Sequence, residues 1–514
     1  MLARLKCLLF LLAALGCESP VEPPSAVPDS AISWSYVAVG RDGDRIRVRG
    51  FDSAAPAQSS VQVYSNGALQ GEAEADARGR FDLRCAGGDS VELRVRAPGW
   101  EAHEALDFAV HDMAVARAEA VRSRLTQTGA VPNHLLLPSA FAGEEALLLL
   151  VNSGDNTVDN LSLSSGSRQY PPLSLPERDG PLGRATAQPF AIEAVGEQAV
   201  VTRLGQGGVT LFDIQSGAVL AEVDERAARP LSQPFVPSTP VDGDGDGSPE
   251  ASVNALLPRT LEGLAVLGDR LFVCAANLLR AGVPPIYAPG MVLVYEIGDG
   301  TLAPATPDHL FTEFFNPQVA VAAGGLVAVV ETGVLELGAG GWQTSSDGGV
   351  ELFDALTLER VAAVSLGRSA PGSAALSADG QHLYVGSLLR PELYKIEVAS
   401  ATLLRGPQTP ITLFASAEVQ SIFSLVAHPS GLVFASSFNT DQVYAIDGLD
   451  DAVSPWPFAE PFAVGEGGQA FAGAHALALR HGRNGVDFRG PDFAVLMSLA
   501  ARVATIDTRY VMGP

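Results

Sequence analysis

The sequence predicts an all-β chain: a seven-bladed β-propeller, preceded by a small β-sandwich and a short linker helix. Three observations carry this. A two-run β pattern recurs along most of the chain, Gly (53) and Pro (35) are abundant, and only one stretch reads as a helix. Repeats of roughly 40 to 50 residues built from short strands are the mark of propellers, in which no blade buries its own faces and ring closure completes the core.

The pattern is clearest at Ser377 to Glu397, SADGQHLYVGSLLRPELYKIE. Asp379-Gly380 is a tight-turn signal. Leu383, Tyr384 and Val385 form a first β-rich run, and Leu393, Tyr394, Lys395 and Ile396 a second, which ends in an acid. The first run recurs at 147–152, 198–201, 270–273, 326–330, 432–435 and 493–496. The second recurs at 158–161, 209–213, 292–296, 350–354, 443–447 and 503–507, which with the pair above makes seven copies. Spacings range from 49 residues (Val151 to Val200) to 72 (Val200 to Phe272), so the excess over one blade falls in loops.

The ends and cysteines suggest where the chain works. Arg4 and Lys6 precede an apolar run, Leu8 to Leu15, too short to span a bilayer, and Ala14-Leu15-Gly16-Cys17 follows. This resembles a bacterial lipobox, with Ala14 where leucine is commoner. The resemblance implies removal of the signal peptide (1–17), lipidation of Cys17, and a lipid-anchored cell-envelope protein, outer-membrane, periplasmic or surface-facing. Residues 18–30, rich in Ser, Pro and Glu, read as a flexible tether. Cys85 and Cys274 each sit in an apolar or alternating run and are expected as buried free thiols. The formal charge of −25, from 33 Lys+Arg and 58 Asp+Glu, sets the chain against nucleic acid, since phosphates are bound by neutralising them. The partners expected are the membrane, through the anchor, and a protein or glycan.

Residues 31–110 read as the first module. Val61 to Tyr64, Asn66-Gly67 and Ala68-Leu69 spell strand, turn and return strand. Arg45 to Arg49 and Val91 to Arg96 alternate charged and apolar residues, as half-exposed strands do. This order resembles carboxypeptidase-regulatory-like and bacterial immunoglobulin-like sandwiches, which implies a spacer or adhesive role. Met113 to Leu125 (MAVARAEAVRSRL), without Gly or Pro, reads as a linker helix within 111–129. The propeller is expected over 130–514.

Within it, Leu150 to Val158 (LVNSGDNTV), Leu383 to Ile396 and Phe434 to Asp447 (FASSFNTDQVYAID) resemble the bacterial YVTN-type propeller repeat, while the copies at 270–297 and 326–354 match loosely. The resemblance spans about 380 residues and implies binding or surface roles with few shared catalytic residues. A related group of seven-bladed propellers contains lactonases, which supplies the enzymatic alternative: a metal-dependent hydrolase working at the central channel.

The sharpest local motif is Asp242, Asp244 and Asp246, each followed by Gly, then Ser248 and Glu250. Alternate carboxylates followed by Gly are the front half of a calcium loop. In the EF-hand pattern the bidentate acid stands twelfth, which is Val253 here, and Glu250 stands ninth. A structural calcium is expected, against a plain acidic turn. The eight His form no cluster along the chain, and no G-x-S-x-G, phosphate loop or H-E-x-x-H occurs. Trp342, in the long loop 333–348, and Trp456, between two prolines, are candidate recognition elements on propeller loops, against packing on a neighbouring blade as the commoner fate of such residues.

Overall fold

A computed structural model describes residues 32–506, except 43, 101–102, 111–124, 139–146, 164, 181–182, 282–283, 340, 417, 457, 459–461, 465–472 and 480–492. The lipobox, the tether and residues 113–124 of the expected helix lie outside the described residues. Leu125, the helix's expected last residue, instead opens a strand, Leu125–Gln127.

Residues 37–109 form two antiparallel sheets. Val37–Asp42, Arg45–Gly50 and Phe81–Cys85 make one; Ala68–Glu74, Ser60–Ser65, Ser90–Arg96 and Glu104–Ala109 make the other. Period-two patterning points Val39, Val48, Val63, Leu93 and Val95 into one shared core, with arginines outward. Asn66 and Gly67 both take positive φ, 51° and 76°, as the two-residue hairpin between Ser65 and Ala68 requires. Cys85 in this core and Cys274 in the larger domain are both buried free thiols.

Among the described residues seven antiparallel sheets follow, six of four strands and the fifth of five, its extra strand being Ile411–Thr412, and they form a β-propeller. Their innermost strands are Pro132–Leu136, Pro189–Val195, Leu261–Leu267, Pro317–Ala323, Pro371–Leu376, Ile422–Ala427 and Ala474–Leu479. Each touches the next, and the seventh returns to the first. The first run of each sequence copy is the second strand of a sheet, and the second run is its third. These middle strands are buried on both faces, for example Gln198–Arg203 and His382–Ser387, so they read as unbroken apolar runs.

Seven apolar clusters fill the seven gaps between neighbouring sheets. Leu149, Val151, Ala199 and Val201 join the first to the second; Val330, Leu352, Leu383 and Ile396 join the fourth to the fifth. Leu148 and Leu150 of the first sheet meet Ala494 and Leu496 of the seventh. The ring closes out of chain order: the outer strand of the seventh sheet is Leu125–Gln127, hydrogen-bonded to Arg502–Ala504. The propeller therefore begins before residue 130.

The first module docks on the sixth and seventh sheets. Ala38 and Phe51 enter the cluster of Phe434, Val443, Val495 and Met497. Above it, Asp447 is fully buried and accepts hydrogen bonds from Arg80 Nη2 (2.6 Å) and Arg49 Nη2 (2.7 Å). Asp447 ends a repeat's second run. Acids at that place cap their own turns: Asp354 accepts from the backbone of Leu356 and Thr357, and Asp447 from Leu449.

Burial works to raise the Asp447 carboxyl, but the Arg80 hydrogen bond and charge, the Leu449 N–H and the Arg49 charge hold it below its ordinary value. Its contribution is complete at neutral pH and is lost as pH falls below about 4. Asp447→Ala leaves two guanidinium groups without this buried partner and is expected to destabilise the protein by about 3–5 kcal/mol at pH 7. Urea unfolding at pH 7 and pH 3 checks this; the difference between variant and wild type shrinks in acid.

Candidate ligand site in the axial channel

Every innermost strand pairs with its neighbour through a register shift near its start. The shifts fall between Pro189 and Ile192, Leu261 and Leu264, Pro317 and Val319, Pro371 and Ser373, Ile422 and Ser424, and Ala474 and Leu477. In the first sheet the shift spans Asn133. Bulges re-aim side chains, and here they aim one set at the axis. Asn133, Phe190, Glu262, Gln318, Gly372, Phe423 and His475 all lie in the bulges, and all line one axial cavity of about 710 Å³.

The bulges also leave backbone carbonyls without ladder partners, and hydroxyls from the preceding sheet satisfy them. Thr202 Oγ1 donates to the Glu262 carbonyl (2.9 Å), Thr332 Oγ1 to Pro371 (2.7 Å), Ser373 Oγ to Ile422 (2.7 Å) and Ser436 Oγ to His475 (2.9 Å). Gly263 has no room for a side chain, because a Cβ would stand 2.3 Å from the Gln318 carbonyl. These ties hold the axial residues in place between sheets.

The polar groups in this wall are short of partners. Glu262 is 8% exposed, and its Oε2 has no hydrogen-bond partner; Asn133 Oδ1, His134 Nδ1 and His475 Nδ1 are in the same state. Burial pushes the Glu262 carboxyl up to about 8. It pushes Glu193 up to about 7, against a backbone N–H from Ala194. Burial lowers both His134 and His475 to about 4, and for His475 the nearby His134 acts in the same direction. At neutral pH the channel thus presents two uncharged imidazoles and a carboxylic acid. Among the described lining residues there is neither Lys nor Arg.

Leu264, Val266, Val319, Val321 and Leu477 supply apolar wall, interspersed with Gln318, Ser373, Ser421 and Ser424. Phe423 meets the His475 ring edge-on at 4.7 Å. A hairpin, Leu335–Gly338 paired with Gly341–Thr344, brings Trp342 and Leu335 to the cavity while leaving Trp342 55% exposed. Trp456 has a different place: it is half-buried against the first module, with Arg47 5.2 Å from its ring.

Histidines scattered along the sequence are therefore partly gathered by the fold, since His134 and His475 face the same cavity from the first and seventh sheets. His428 is structural: it is buried, accepts from the Ser430 backbone N–H, and packs on Tyr36. A sequence signal for the inner strands does exist. Pro132, Pro189, Pro317 and Pro371 each open one, after a residue of positive φ.

The acidic loop lies elsewhere, between the second and third sheets. Asp242, Asp244 and Asp246 each offer an oxygen, all within 4.8 Å of one another. Backbone pairing of Val241 with Glu250 closes the loop, and Val253, the twelfth position, is fully buried in the core. Asp242 already accepts from the backbone of Gly245 (2.7 Å) and Gly247 (3.1 Å). Ser248 N–H donates to Asp246.

No protein-family model matches the chain, and no curated protein matches it. Among solved structures, the hydrazine synthase of Kuenenia stuttgartiensis is similar at 11% sequence identity and a TM-score of 0.47, over 73% of this chain and 95% of that one.

Glu262 keeps its proton in the native state up to about pH 8, whereas the unfolded chain releases it near 4.3. Native protein then binds more protons across this interval, so stability falls as pH rises through it. Glu262→Gln removes that fall, and the variant is expected to lose less melting temperature than the wild type between pH 5 and pH 8. Thermal unfolding at half-unit pH steps measures it.

Proposed function

We propose that this chain is a lipid-anchored β-propeller binding scaffold of the bacterial cell envelope, held at Cys17, that presents its channel mouth to a protein or glycan. One observation carries the reading: an exposed aromatic hairpin bearing Trp342 stands beside an axial cavity in which four buried polar atoms, on Asn133, His134, Glu262 and His475, lack partners. Exposed aromatics at the rim of a concave pocket are what binding surfaces use. The lipobox resemblance around Cys17 and the YVTN-type repeats support the envelope setting, and the resemblance of residues 31–110 to immunoglobulin-like sandwiches supports a spacer role. An array of purified envelope oligosaccharides and peptides tests the proposal. Trp342→Ala is expected to bind the retained ligand about tenfold or more weakly, the scale of an aromatic hot spot.

The meeting of His134, His475, Glu193 and Glu262 in one channel raises a second reading, a metal-dependent hydrolase of the lactonase-like kind, although no three of their ligand atoms lie within 4.8 Å of one another. Turnover of an ester and lactone panel, dependent on added divalent metal and abolished by His475→Ala, would establish that reading in place of the first.

We also propose that Asp242, Asp244 and Asp246, with Ser248 and Glu250 beside them, take a structural calcium. Burial raises the Glu250 carboxyl, and the three aspartates add to it; a divalent cation relieves this crowding. Binding to the native state alone raises stability, by about 2.7 kcal/mol at a hundredfold excess over Kd. The melting temperature is expected to rise with calcium and fall with chelator, and Asp244→Asn is expected to abolish the response.

A further inference from the structure

We propose that the axial cavity binds a small organic ammonium ion carried on an apolar body, with Glu262 as its counter-ion. This rests on the reading of the propeller as a binding scaffold, and names what its channel takes.

Size comes first. A cavity of about 710 Å³ falls in the range that encloses a small organic ligand. Charge comes next. The channel offers two carboxyl groups, Glu193 and Glu262, and no Lys or Arg among its described lining residues. An anion would enter without a partner, inside a chain of formal charge −25.

Hydrogen-bonding capacity narrows the class further. Glu262 Oε2 and Asn133 Oδ1 are buried acceptors without donors. The unpartnered Nδ1 of His134 or His475 adds an acceptor in the tautomer that carries its proton on Nε2. A primary ammonium brings three donors and no acceptor, which suits such a set. Leu264 and Val319 receive an apolar body, and Phe423 offers an aromatic ring to the cation.

A bare metal ion fits less well. Among the described residues, three His, Cys or carboxylate ligand atoms come within 4.8 Å of one another only at Asp242, Asp244 and Asp246.

The binding step has a proton balance. Ammonium meets a carboxylic acid, the carboxyl proton leaves to solvent, and an ammonium–carboxylate pair remains. Burial raises the Cys274 thiol and the Tyr287 phenol further above neutral pH, and both feel the Glu262 charge, so neither competes for that proton.

Titration calorimetry of the full mature chain at pH 7 with benzylamine, benzyl alcohol and benzoate tests the proposal. These probes share one ring and differ in charge. Benzylamine is expected to bind about tenfold or more tightly than the alcohol, and benzoate not at all. Titration in two buffers of different ionisation enthalpy is expected to show about one proton released per amine bound. Glu262→Gln is expected to lower benzylamine affinity to that of the alcohol, and the wild-type series stands without that variant. Equal or tighter binding of the alcohol or benzoate, or unchanged amine binding by Glu262→Gln, overturns the ammonium assignment and leaves the channel a binding site. Absence of binding by all three overturns the ammonium assignment, while the Trp342→Ala array result decides the scaffold reading separately.

Discussion

Every sheet of the propeller depends on one pairing, that of Leu125–Gln127 with Arg502–Ala504. The middle strands are apolar on both faces, so each sheet has two surfaces to remove from water and can cover neither by itself. Seven inter-sheet clusters do this only if the seventh sheet is complete and meets the first, as Leu148 and Leu150 meet Ala494 and Leu496. Supplying the last strand from the start of the domain converts a stack with two exposed ends into a ring with none.

The axial channel owes its chemistry to a repeated irregularity. A regular inner strand would send alternate side chains into the gaps between sheets. The bulge near the start of each inner strand turns one or two residues toward the axis instead. Seven sheets thus contribute seven local insertions to one cavity, and hydroxyl-to-carbonyl bonds between neighbouring sheets hold them there. Because the wall is buried, Glu262 is held protonated and the imidazoles of His134 and His475 neutral. A ligand that supplies donors or charge recovers what burial withholds.

The first module is bound by the same repeat logic put to a second use. An acid that elsewhere caps a turn becomes, at Asp447, the partner of Arg49 and Arg80. Phe51 beside it adds apolar burial against Phe458. Desolvating one carboxylate between two guanidinium groups is favourable only when both are in place. The contact therefore fixes one orientation of the module on the sixth and seventh sheets.

The chain by itself determined the middle two strands of each sheet, the Asn66-Gly67 hairpin and the buried thiols. These depend on patterns a few residues long: continuous apolar runs where both faces are covered, alternation where one is, and turns that need positive φ. The inner strands were not legible in that way, because they carry Pro, Gly, Ala and Ser in place of apolar runs, and their bulges break the period. Residues 125–127 likewise read as the end of a helix-forming stretch, and only a partner some 375 positions away, at Arg502–Ala504, made them a strand. His134, Glu193, Glu262 and His475 lie far apart along the chain, so no spacing links them. Their meeting at one axis follows from ring closure, which is a property of the whole domain and of no single repeat.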